Sequence, residues 1–213
     1  MHFARLVEIV GSDPVFESGL LLAGDVDPNH VRRQLSRWVR TGKVHQLRRG
    51  LYALAPPYLK ATPHPFHVAG RLVLGSYVSL QSALAWHDLI PEHVPVTTSV
   101  TSSRPGVWKT PLGVFEYRHL RWARGGAYLA LEVAAGQPAC VARPEQALLD
   151  LIYLRHGDDL PAHLSGLRLQ NLDLLDLERL AGLARGLGKP RLMRAAQLVA
   201  ELASEQAREY RAL

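Results

Sequence analysis

The stretch "DPNHVRRQLSRWVRTGKVHQLRRGLYAL", residues 27–54, decides how this chain is read. It opens on Asp27–Pro28, a capping carboxylate followed by proline at the first helical position, where a missing N–H costs nothing. Gly42 is a good helix stop. Between them Val31, Leu35, Trp38 and Val39 fall on one helical face, while Arg32, Arg33, Ser36, Arg37 and Arg40 lie around the other. Two short apolar-rich runs, "VHQL" and "LYAL", then flank "RRG". They read as a β-hairpin in which Gly50 supplies the positive φ of a tight turn. Val44 and Leu47 have opposite parity, so a bulge or an early end of the first strand is expected. Leu51, Tyr52 and Leu54 are expected to anchor the second strand.

Upstream, "FARLVEIV" has helical spacing at Phe3, Leu6, Val7 and Val10, and Ser18 is expected to cap a short helix through "GLLLA". Short helices, an amphipathic helix and a hairpin are the order of a winged helix-turn-helix. Four prolines in "APPYLKATPHP" (55–65) argue against regular structure there. The expected division is a winged helix-turn-helix over 1–58, a proline-rich linker over 59–65 and a second domain over 66–213. In that second domain "FHVAGRLVL", "SLQSALAWHDLI" and "RPEQALLDLIYLRHG" read as helices, the last closing on Arg155, His156 and Gly157. "VPVTTSVTS", "GVFEYRHL" and "YLALEVAA" read as strands. "DLLDLERLAGLARGLG" and "PRLMRAAQLVAELASEQAREY" read as leucine-rich helices, with Leu174, Leu177, Leu180 and Leu183 as core positions. The expected fold class is α+β: an N-terminal winged helix-turn-helix followed by a mixed α+β domain ending in leucine-rich helices.

The 213 residues carry a formal net charge of +6, a balance that suits nucleic acid, an anionic membrane surface or an acidic protein. Residues 27–49 hold seven basic side chains against one acidic, so this short segment matches the charge of the whole chain. Acidic residues are absent from 28 to 87, which removes nearby salt-bridge partners. The single cysteine, Cys140, cannot form an internal disulfide. The charged N-terminal stretch does not suit a signal peptide, and "SGLLLAG" falls far below membrane-spanning length. A cytoplasmic protein without a membrane partner is expected.

A helix that reads DNA needs one face for its own domain and another for phosphates and base edges in the major groove, about 12 Å wide. The second role falls to Asn29, His30, Arg32, Arg33, Ser36, Arg37 and Arg40. The hairpin adds Lys43, His45, Arg48 and Arg49, with Arg48 and Arg49 expected at its tip for the phosphate backbone. Asn29 lies near the N-terminal end, where helix-turn-helix proteins contact bases. The expected partner is double-stranded DNA, an operator with an inverted repeat. No cofactor, metal or catalytic residue is expected.

The segment "LSRWVRTGKVHQLRRGLYALAP" resembles the N-terminal winged helix of the AbiEi family, antitoxins of type IV toxin–antitoxin and abortive-infection systems. Leu35, Ser36, Arg37, Trp38, Gly42, Lys43, Val44, Leu47, Arg49, Gly50 and Tyr52 match the family's pattern. "YVSLQSALAWHDLIPEHV", "TSVTSSRPG", "GVFEYRHL" and "ARPEQALLDLIYL" are similar, in order, to later segments, so the resemblance spans residues 1 to about 200. It implies a repressor of the protein's own operon, and a C-terminal domain that counters a nucleotidyltransferase-like toxin with or without direct contact. A stand-alone transcriptional regulator without a toxin partner is the alternative.

Other chemistry has weaker support. His64 and His67 sit close in "HPFH", yet no CxxC or HExxH spacing occurs, and surface histidines are the expected reading. "ARGGAY" (123–128) lacks a phosphate-loop lysine and reads as a loop between strands. Glu116 and Arg118 share a strand face, with Glu145 and Asp150 further on; a nuclease would use carboxylates and a basic residue around magnesium. No paired carboxylate or correctly placed lysine supports that. Glu145 reads as an early helical acid favoured by the dipole. Asp150 is expected to bond a neighbouring backbone or arginine.

Overall fold

The computed structural model describes residues 1–213 apart from 24, 25, 93, 126, 127, 156, 158, 212 and 213. Helix α1 (Phe3–Val10) buries Leu6 and Val10. A two-residue strand β1 (Phe16–Glu17) leads into a 3-10 helix, Ser18–Leu22. Ser18 is not its side-chain cap; the position before the helix is Glu17, and the Ser18 N–H donates to the Gly50 carbonyl at 2.9 Å. Helix α2 (Pro28–Arg40) has the expected bounds. Asp27 Oδ1 accepts from the Asn29 N–H at 2.9 Å, and Pro28 occupies the first turn. At the far end Gly42 takes φ +69°, its N–H donates to Val39 O, and the Lys43 N–H donates to Trp38 O. Those two bonds form a Schellman motif, which satisfies carbonyls the helix leaves open. Asp27→Ala removes one such cap and is expected to cost about 1 kcal/mol in urea unfolding, without altering the helix bounds.

The hairpin pairs β2 (Val44–Arg48) with β3 (Leu51–Leu54), and β1 adds to β3, giving the order β1-β3-β2. The register runs Val44↔Leu54, His45↔Ala53, Gln46↔Tyr52 and then Arg48↔Leu51, leaving Leu47 as a bulge. This small sheet is covered on both sides. Val44 and Leu54 join Leu6, Val10, Phe16, Leu21, Val31, Leu35 and Trp38 in one apolar cluster. Leu47, Leu51 and Ala53, with Val15, belong to the larger core of the rest of the chain. The opposite parity of Val44 and Leu47 thus reflects two buried faces.

The connection over 59–65 is fixed in place. The Gln137 side chain, 3% exposed, accepts from the His64 N–H at 2.7 Å and donates to Thr62 O at 3.0 Å. His64 in turn caps α3 (Pro65–Leu72) through its ring Nδ1, which accepts from the Phe66 N–H. Beyond α3 come β4 (Tyr77–Val78) and α4 (Leu80–Trp86). Next are β5 (Val96–Thr101), β6 (Gly106–Thr110) and β7 (Gly113–His119), then a 3-10 turn at Arg121–Gly125. The strands β8 (Tyr128–Ala134) and β9 (Gln137–Ala142) complete a mixed sheet of order β6-β7-β5-β4-β9-β8. Residues 126 and 127, central to the expected "ARGGAY" loop, lie outside the described residues.

Helix α5 (Pro144–Leu154) is buried over most of its length. It stops one residue short of the basic end expected from the sequence, because Arg155 is already extended; His156 lies outside the described residues. Helices α6 (Leu160–Gly166), α7 (Leu177–Leu187) and α8 (Pro190–Arg211) follow. Leu180 is buried as expected, but Leu174 sits in a separate 3-10 turn with 54% of its surface exposed. Among the described residues no helix is long and apolar enough to cross a membrane.

Glu145 lies in the first turn of α5 as expected, while other polar groups differ from expectation. Glu145 is 1% exposed; its Oε1 accepts from the Asp176 N–H at 2.9 Å and lies 3.5 Å from Arg179, so it ties α5 to the start of α7. Asp150 meets four side chains and, among the described residues, neither backbone nor arginine: Tyr77 Oη, Ser79 Oγ, Trp122 Nε1 and Gln146 Nε2 all donate to it. His67 and His163 are buried, and His67 Nδ1 contacts Pro138 O. These histidines serve the interior, not the surface. Among the described residues no group of three histidine, cysteine or acidic side chains is placed to hold a metal ion.

Candidate nucleic-acid interface

The outward side of α2 follows from its inward side. Val31, Leu35 and Trp38 are buried and Val39 is half-buried, which turns Arg32, Arg33, Ser36, Arg37 and Arg40 to solvent. At a rise of about 1.5 Å per residue, Arg32 to Arg40 covers roughly 12 Å of axis. Asn29 and His30 are exposed at the N-terminal end. Arg32 Nη1 donates to Asn29 Oδ1 at 3.2 Å. His30 Nε2 lies 2.9 Å from the Gln34 amide nitrogen and 3.4 Å from the N-terminal ammonium.

Few carboxylates answer these cations. Arg33 lies 3.9 Å from Asp27, with both side chains more than half exposed, a pair worth little in water. Among the described residues Arg32, Arg37 and Arg40 have no acidic partner within salt-bridge distance, and neither has Arg49. Lys43 holds its ammonium 4.9 Å from the Phe3 ring centre, a cation–π contact that fixes its direction.

The two hairpin arginines separate. The bulge at Leu47 brings Arg48 opposite Leu51, on the sheet face that packs against the larger core. There its guanidinium donates to Arg49 O at 3.1 Å and to Arg71 O at 3.2 Å, and its buried Nε has no partner among the described residues. Arg48 therefore does not stand at the tip in solvent as expected; the bulge re-aims it inward. Arg49 is exposed, and Gly50 takes φ +83° to close the turn. His45 pairs with Ala53 and is half-buried on the same inward-facing side, so it does not join the α2 cations. Arg71, which sequence reasoning passed over, forms a 3.7 Å ion pair with Glu17 and completes this seam.

The structure thus brings Asn29, His30, Arg32, Arg33, Ser36, Arg37 and Arg40 together on one helix, with Lys43 and Arg49 beside its C-terminal end and hairpin. Such a surface can bind a polyanion by multiple guanidinium contacts. The carboxylates considered for nuclease chemistry do not form a joint site with it. Asp150 is enclosed by its four donors, and Glu116 pairs with Arg118 at 3.1 Å.

Neither a family model nor a curated protein matches this chain. A crystal structure of the RV2827C protein from Mycobacterium tuberculosis is similar, with a TM-score of 0.57 and 22% identity; the match covers 93% of this chain and 75% of that one. At that identity the likeness speaks for the fold alone.

Proposed function

We propose that the protein is a non-enzymatic, sequence-specific DNA-binding repressor of the cytoplasm, with residues 1–58 acting as a winged helix-turn-helix. The order α1, β1, 3-10 helix, α2, β2, β3 and the sheet order β1-β3-β2 support that reading of the N-terminal unit. The observation that carries the function is the face of α2: four exposed arginines met, among the described residues, by one weak acidic partner. In this reading α2 enters the major groove with Asn29 and Arg33 near base edges, and Arg49 and Lys43 hold the adjacent backbone. One recognition helix per chain fits an inverted repeat bound by two copies.

Six cations, Arg32, Arg33, Arg37, Arg40, Lys43 and Arg49, remain to displace counterions from the DNA once Arg48 is set aside. Log K should then fall with log salt at a slope of roughly −5. A gel-shift titration on the gene's own upstream DNA against random DNA tests this. A flat salt response, or equal affinity for both DNAs, overturns the reading.

The antitoxin role rests on the AbiEi resemblance, which names a nucleotidyltransferase-like toxin as the partner. A fragment of residues 66–213 would be a poor test, because it would strip Leu47, Leu51 and Ala53 from the core. The full chain with Arg32, Arg33, Arg37 and Arg40 changed to alanine keeps that core. Rescue of toxin-expressing cells by this variant supports a DNA-independent countering role; no rescue, with the unaltered chain rescuing, confines the protein to regulation.

A further inference from the structure

A cavity of about 620 Å³ opens between α4, the sheet at strands β5 and β7, and α5 and α6. Its walls are mainly apolar, with Leu80, Ile90, Val96 and Leu151 among them. Its charged groups fall into two kinds. Glu116 is paired with Arg118, and Glu92 lies 4.0 Å from Arg168, so these acids are already answered. Arg155 and His163 also line the cavity, and among the described residues no carboxylate pairs with Arg155 or with the nearby Arg191.

His163 is 4% exposed, and its Nδ1 lies 2.6 Å from Arg155 Nη1. A guanidinium only donates, so Nδ1 must accept and the ring proton sits on Nε2. That Nε2–H is buried and has no partner among the described residues, and neither has the buried Arg191 Nε–H. Burial, with Arg155 and Arg191 adding to it, pushes the His163 pKa down and keeps the ring neutral. A buried donor beside two arginines that pair with no carboxylate of the described residues lacks an acceptor there, and an unsatisfied buried donor needs an explanation.

We propose that this cavity binds a small amphipathic carboxylate. Its head accepts from His163 Nε2–H and Arg155, and its apolar body lies against Leu80, Ile90, Val96 and Leu151. Glu116 and Glu92 are each met by an arginine of their own, which leaves the His163 end to hold the head. Pockets that combine apolar walls with a few convergent polar groups are the usual form of small-molecule sites. The site stands apart from the α2 surface and needs no DNA.

The test uses the full chain with ¹⁵N-labelled histidine and four probes: benzoate, octanoate, benzamide and inorganic phosphate. Benzoate or octanoate should shift the His163 Nε2 resonance saturably, with a Kd tighter than about 1 mM. Arg155→Gln should weaken that binding at least about tenfold, the loss of one charge-assisted hydrogen bond. Glu116→Gln, at the other end, should retain it. No saturable shift with either carboxylate overturns the proposal, as does equal binding of benzamide. Phosphate binding as tightly as the carboxylates removes the role of the apolar wall, and loss of binding in Glu116→Gln overturns the placement of the head. Since no probe involves DNA, failure here leaves the repressor reading untouched.

Discussion

Asp150→Ala should lower stability by about 3–5 kcal/mol, or roughly 10 °C in Tm for a chain of this size. The side chain is fully buried. Its Oδ2 accepts from Tyr77 Oη at 3.0 Å and Ser79 Oγ at 2.8 Å, and its Oδ1 from Trp122 Nε1 at 2.9 Å and Gln146 Nε2 at 2.6 Å. One carboxylate therefore joins α5 to β4, to the start of α4 and to the 3-10 turn after β7. Alanine leaves these donors without that acceptor in the interior, where each unsatisfied group costs about 1–3 kcal/mol. Tyr77→Phe removes a single donor and should cost about 1 kcal/mol, and in the Asp150→Ala background it should cost less. A loss below about 1 kcal/mol for Asp150→Ala in urea unfolding would falsify the network's structural role.

The charge on Asp150 adds a pH signature. Burial pushes its carboxyl above the usual range, while the four donors pull it back down. The folded state then holds this proton more firmly than the unfolded chain. The associated stability is fully present below the unfolded value of about 3.9 and is lost as pH rises through the folded pKa. Asp150→Asn removes this dependence. It also sets an amide NH2 against donors that need an acceptor, so asparagine should not restore the native stability.

Helix α2 and its hairpin were legible because each boundary is written locally: Asp27 and Pro28 at one end, Gly42 at the other, Gly50 at the turn. The parity break at Val44 and Leu47 announced the bulge. It did not announce the direction of Arg48, because the covering face of β3 comes from residues well beyond position 65. Three strands gave little signal for distinct reasons. Strand β4 has two residues, and β6 is largely exposed, so its side chains show no alternation of burial. Strand β9 carries Pro138, which argues against an inner strand, yet β4 pairs with β9 only at Val141, so Pro138 lies beyond the reach of that ladder. Asp150 was visible as an acid in an apolar run, but its donors lie up to 73 positions away. The cavity was equally hidden, since its walls come from residues spread between 80 and 167.

Replacing Arg32, Arg33, Arg37 and Arg40 together by alanine should produce the largest loss of DNA affinity and leave the fold intact. All four side chains are exposed, and alanine is the best helix former, so α2 retains its bounds and its buried face. If each arginine neutralises one phosphate, the salt slope should fall by roughly 3.6, at about 0.9 per contact. Arg49→Ala should lower the slope by about 0.9, without a stability cost, because its side chain is exposed. Arg48→Ala should do the reverse. It leaves the slope unchanged, because the guanidinium is engaged with Arg49 O and Arg71 O, and it loosens the seam between hairpin and α3. Measured by salt-titrated gel shift and urea unfolding on the same samples, the two neighbouring arginines should therefore exchange effects. A salt slope that falls equally in both variants would show that the bulge does not hold Arg48 inward when DNA is bound.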